Sequence, residues 1–283
     1  MPLQQRVRYP DHIEPLVQFI EDTPPSDILD RTLGKLRSGV PTETMLTASV
    51  LAAVRSSDLP PGHHGGPLHP MAGLYALSKL VGRLEGENRF VPVLQHVALS
   101  NKHINDPVTS PYQLLEFAPL EFDDFEAAKA AFLLACSRGE SNKADHIYQW
   151  MWQNVPAIEA FDLLMSIAIP KNNIDDHYFV FPGYAWRSLQ TGVLDTQYLS
   201  LLMRPSVRYA ARFPVAPPTP ELDALIKDNK LLERVTRQET GEDETMAIGR
   251  LGKGIGQVDW DGVVVASAKA RTSIVAAYAW EDD

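Results

Sequence analysis

The chain has a single cysteine, Cys136, so neither an internal disulfide framework nor a thiolate metal cluster can form within it. The setting Ala135-Cys136-Ser137, after Phe132-Leu133-Leu134, reads as a small buried apolar position. Runs of basic residues are also missing. Asp and Glu outnumber Lys and Arg by 36 to 26, a formal net charge of −10, so a phosphate backbone or an anionic membrane surface is repelled. We therefore expect no nucleic-acid partner and no membrane partner. No run reaches the roughly 18 apolar residues that span a bilayer, and the opening residues 1–8 lack the apolar segment of a secretory signal. The expectation is a soluble, cytoplasmic protein. No repeat of matched residues recurs along the chain, which argues against a solenoid.

What is present is a 283-residue chain, 45% hydrophobic, long enough to bury a sizeable core. The pattern reads as an all-α multi-helix bundle or array. Apolar residues at spacings of three and four mark helices over 11–22 and 27–36, broken by Thr23-Pro24-Pro25. Residues 41–55 are apolar nearly all round, the mark of a helix enclosed by others. Further helices are expected over 70–84 and 88–103, the latter stopped by Asn105-Asp106-Pro107. After a proline-containing loop over 108–120, Asp123 opens a helix with Glu126 three residues on. Ser141 or Asn142 caps a helix over 143–152, and Pro156 starts one that ends at Pro170. Pro182 biases Phe181 away from the helical region, so the next helix is expected to begin at Pro182 with Asp175, Asp176 and His177 in its entry. A helix over 194–211 follows.

Residues 1–213 thus form a helical core domain, and 214–283 a short C-terminal extension. The extension reads as a proline-rich linker, a helix over 221–237, a glycine-rich loop and an apolar segment over 258–279, readable as helix or strand. The glycines at 249, 252, 254 and 256 lack the Lys-Ser/Thr that completes a P-loop, so they read as a loop and not as a phosphate cradle.

Histidine placement is the feature that points to chemistry. Gly62-His63-His64-Gly65-Gly66-Pro67-Leu68-His69-Pro70 puts three imidazoles on a loop shaped by glycine and proline, between buried helices. His96 and His103, two helical turns apart, share a face. His177 follows Asp175 and Asp176. His146, beside Asp145, and His12 read as structural. Gathered by the fold, these residues would make a buried pocket lined by His64, His69, His103, His177 and Asp176.

Imidazoles with a carboxylate and no thiolate suit a divalent Fe, Mn, Cu or Zn ion, and His64, His69, His103, Asp176 and His177 are the candidate ligands. No His-Glu-x-x-His or Glu-x-x-His spacing supports that reading. The alternative needs no metal: a histidine deprotonates a phenol or polarises a carbonyl in an apolar pocket, with Asp176 orienting its ring. Tyr75, Trp150, Trp152, Tyr178, Tyr184 and Trp186 are aromatics that can line it. A metal-dependent hydrolase and a helical interaction protein with structural histidines are the competing readings.

The run His69-Pro70-Met71-Ala72-Gly73-Leu74-Tyr75-Ala76-Leu77 resembles the histidine-rich helix entry of the questin oxidase-like family. His177 with Gly183-Tyr184-Ala185 is similar to that family's second histidine motif. The resemblance implies an all-α oxidoreductase without a flavin motif, which inserts oxygen into a polycyclic aromatic ketone with NADPH as reductant. On that reading His69, His177 and Tyr184 are the catalytic candidates and the partner is a small-molecule substrate.

Overall fold

The run of small and apolar side chains over 42–56 forms α3 (Thr42–Ser56), in which every residue from Met45 to Ser56 is buried. Thr47, Ala48, Ser49, Ala52 and Ala53 keep its surface low, so neighbours approach from several sides. A computed structural model describes residues 5–58, 66–110, 112–118, 120–171 and 177–212, with isolated positions at 224, 227, 228 and 230. Against α3 pack α1 (Glu14–Asp22), α4 (His69–Val81) and α5 (Phe90–Ile104), and α2 (Ile28–Arg37) lies on α5. The second half of the described chain is α6 (Phe125–Ser137), α7 (Ser141–Asn154), α8 (Ala157–Lys171), α9 (His177–Arg187) and α10 (Thr196–Arg212). There α7 packs on both α6 and α10, and α9 touches α8, α10 and α4. The only extended pairing among the described residues is an isolated antiparallel bridge between Arg6 and Leu115. The fold is all-α, as its periodicity indicates.

The chain divides into compact units Met1–Val215 and Ala216–Asp283. The ten α-helices named above all belong to the first. The linker, the helix over 221–237 apart from four positions, the glycine-rich loop and the apolar segment expected in the extension lie outside the described residues.

Two buried ion clusters tie the helices together. Arg55, 1% exposed, donates through Nη1 to both Glu14 oxygens at 2.7 Å and through Nε and Nη2 to Glu21 at 2.9 and 2.7 Å, and its guanidinium lies 4.8 Å from the Tyr9 ring centre. Two charges each way satisfy one another, because Arg6 also donates to Glu21. In the second half, Asp145 on α7 and Arg204 on α10, at 0% and 3% side-chain exposure, form a forked pair at 3.0–3.2 Å.

Several element ends differ from the sequence expectation. The cap of α6 is Asp124 and not Asp123: its backbone is extended and its Oδ1 accepts from the Ala127 N–H at 2.8 Å. α7 starts at Ser141, with Glu140 as its flanking residue and no side-chain cap. α8 runs through Pro170 to Lys171. The largest difference is α9, which begins at His177 and carries Pro182 inside it. Proline there removes one helical hydrogen bond, but Phe181 and Pro182 are both buried, and that packing overrides the local preference.

Candidate functional site

The first turn of α4 follows a 3-10 turn, Gly66–Leu68, and Pro70 occupies a first-turn position where its missing N–H is no loss. Gly66 lets His103 pack close to this backbone: a Cβ on it would sit 3.3 Å from Cε1 of His103, tight enough that the ring would have to shift by a few tenths of an ångström. His69 is therefore the first residue of α4, and its Nδ1 stands 3.3 Å from the Gly66 carbonyl. His177 is the first residue of α9. The two helices pack together with their beginnings side by side, so residues 108 apart in sequence meet: Nε2 of His69 lies 3.4 Å from Nε2 of His177, with ring centres 5.2 Å apart and planes at 83°. Phe181, one turn along α9 and fully buried, closes one side, 5.9 Å from the His69 ring and 5.1 Å from that of His177.

The seam continues from the imidazoles along both helices. Tyr75 and Tyr184 lie 6.0 Å apart, tilted at 42°. Arg187 rests over the Tyr75 ring at 4.7 Å and donates to its hydroxyl at 3.3 Å, and the Lys79 ammonium stands 5.8 Å from the same ring centre. These are cation–π placements. Neither cation has a carboxylate partner among the described residues. His177, Phe181 and Tyr184 share a face of α9 by their spacing of four and three.

Of the expected site residues, the fold brings together His69, His177 and Tyr184. His69 is exposed and His177 half-buried, so they occupy a surface seam where two helices begin, and not an enclosed pocket. His103 packs against Gly66, three residues before His69, and its carbonyl accepts from the Thr109 hydroxyl at 2.6 Å. His64 and Asp176 lie outside the described residues. Among the described residues no three His, Cys, Asp or Glu groups converge to hold a metal.

Other candidates are absorbed by packing. His96 is 1% exposed; its Nε2 donates to the Pro70 carbonyl at 2.8 Å, and its Nδ1 stands 2.8 Å from the Ser49 hydroxyl. It shares a face with His103 but points into the core, and burial pushes its imidazole down to about 4. His146 stacks on Phe117 at 4.4 Å and meets the Ala118 carbonyl. Four of the expected pocket aromatics pack on other rings instead: Tyr178 stacks on Tyr209 and Trp186 on Phe161 between helices, Trp150 meets Phe122 edge-on, and Trp152 lies by Tyr148 one turn away on α7. Cys136 is buried, and burial pushes its thiol up to about 11, which makes it inert.

Sequence reasoning missed Lys79 and Arg187. Their spacing, four residues after Tyr75 and three after Tyr184, was the available signal, since such positions stack along a helix. No helix among the described residues is long and apolar enough to cross a membrane. Compared with family models, with curated proteins and with solved structures, the chain has no match in any of the three.

Proposed function

We propose that the chain is a cytoplasmic, oxygenase-like oxidoreductase acting on a small aromatic or carbonyl-containing molecule laid along the seam between α4 and α9. The observation that carries the reading is the meeting of His69 and His177 at 3.4 Å, at the head of a strip formed by Phe181, Tyr75 and Tyr184. Both segments that resemble the questin oxidase-like motifs lie on these two helices, which supports the same reading.

One imidazole takes the proton of a phenol or of a carbon beside a carbonyl, and the other hydrogen-bonds the developing oxyanion. Phe181 excludes water from one side of the pair, and in this reading Tyr184, whose ring lies 6.0 Å from that of Tyr75, orients a second oxygen of the substrate. The balance is substrate, dioxygen, NADPH and one proton in, and oxygenated product, water and NADP⁺ out. NADPH, when bound, supplies the two electrons. Lys79 and Arg187 are the seam residues whose charge fits its phosphates.

The test is NADPH and oxygen consumption by the full chain with a panel of hydroxylated aromatic ketones. Turnover is expected with at least one of them, reduced about 10²–10⁴-fold by His69→Ala or His177→Ala and less by Tyr184→Phe. Turnover of none, or equal turnover by the variants, sinks the reading.

A further inference from the structure

The distance between His69 and His177 admits a more specific conclusion. A hydrogen bond donated by a ring N–H spans about 2.7–3.2 Å, and the two Nε2 atoms stand 3.4 Å apart, long for one imidazole donating to the other. Two nitrogens held about 2.0–2.1 Å from one tetrahedral ion lie roughly 3.3–3.4 Å apart, which is the edge of that coordination sphere. Adjacent corners of a square-planar or octahedral site of the same radius are only about 2.9 Å apart. The observed 3.4 Å matches the tetrahedral edge more closely than the other two.

The surroundings agree with it. His69 Nδ1 faces the Gly66 carbonyl, and a carbonyl can only accept, so the ring proton belongs on Nδ1 and the Nε2 lone pair faces His177. At 3.3 Å the contact is itself long for a hydrogen bond, but its direction is that of the outer-shell partner by which metal-bound histidines are commonly oriented. The Phe181 ring lies against both imidazoles and provides the apolar flank that keeps bulk water off one side. The rings stand nearly perpendicular, at 83°, so each presents its own nitrogen edge-on to the space between them.

We propose that His69 and His177 are two ligands of a tetrahedral divalent ion of the zinc class, bound through Nε2 of each. Imidazole nitrogen favours borderline ions of this kind over magnesium or calcium. The site rests on the histidine geometry alone, and while the ion is bound the two Nε2 atoms are ligands, so the base and donor roles given above belong to the metal-free pair. A chain that binds zinc here and turns over no aromatic ketone keeps this inference and loses the oxidoreductase reading.

The full chain, stripped with a chelator, is titrated with Zn(II) and separately with Mg(II), reading affinity by competition with a chromogenic chelator and melting temperature in parallel. One equivalent of Zn(II) is expected to bind and to raise the melting temperature. His69→Ala and His177→Ala should each weaken it by at least about tenfold, since even outer-shell losses cost that much. His69→Gln, which keeps a polar side chain at this exposed position, should behave like His69→Ala and retain the wild-type circular dichroism spectrum. His146→Ala serves as the surface-histidine control and should leave binding unchanged. Absence of a Zn(II) equivalent in the wild type, or a loss below about tenfold in either alanine variant, overturns the proposal.

Discussion

Acid should destabilise this protein through one buried ring before its carboxylates titrate. His96 is enclosed between α3, α4 and α5, where a neutral ring donates Nε2–H to the Pro70 carbonyl and sets Nδ1 2.8 Å from the Ser49 hydroxyl, which is also paired at 2.9 Å with the Ser100 hydroxyl. Burial carries its imidazole from the ordinary 6.5 to about 4, with the Pro70 carbonyl pulling weakly upward. Between those values the unfolded chain binds a proton that the folded chain refuses. The stabilisation is therefore full above about pH 6.5 and is lost as the pH falls toward 4. At 1.36 kcal/mol per tenfold change in proton affinity, the difference is about 3 kcal/mol. The assay is urea denaturation between pH 4.5 and 7.5, followed by far-ultraviolet circular dichroism, for the wild type and for His96→Gln, which cannot titrate. Over this range the wild type should lose about 2–3 kcal/mol more than the variant, so that their stabilities converge in acid. Parallel pH profiles would refute the account of His96 as a ring held neutral by burial.

Two further expectations concern stability. Asp145→Ala leaves Arg204 buried without its carboxylate and should cost about 3–5 kcal/mol, while Asp145→Leu with Arg204→Met should recover most of that loss. Thermal melts of the single and double variants check this, and a double variant no better than the single one contradicts it. Asp124→Ala should cost about 1 kcal/mol through loss of the α6 cap, whereas Asp123→Ala should stay within about 0.5 kcal/mol. Chemical denaturation of the pair distinguishes the two aspartates.

The helices were legible because burial in this chain follows the 3.6-residue period. The all-round apolar character of residues 41–55 marks α3 as the enclosed helix, and every residue from Met45 to Ser56 is buried. Where local rules failed, long-range packing won. Pro182 argues locally for a helix start, but the cavity filled by Phe181 lies between α9 and its neighbours, and no window of sequence contains it. The same holds for the histidines. Glycine and proline around His69 marked it out, and the Gly183-Tyr184 pair marked His177, but their meeting depends on α4 and α9 starting side by side. Sequence spacing put His96 and His103 on one face without revealing that the carbonyl of Pro70 and the hydroxyl of Ser49 occupy both nitrogens of His96. The aromatics misled for a related reason: stacking between helices uses the same residues as a ligand pocket, as Trp186 on Phe161 does.

The pairing of α4 with α9 also sets a timetable for synthesis. α1, α4 and α5 pack on α3, and α2 on α5, all from neighbouring sequence, so much of that half can assemble while the ribosome is still translating the rest. His69 is then already positioned at the head of α4, held there by a core that includes the His96 bond to Pro70. Its counterpart arrives only when α9 has been made and has docked, more than a hundred residues later. A nascent or prematurely terminated chain ending before residue 177 would carry only one member of the histidine pair, so the pair exists only in chains that have been read through to their second half.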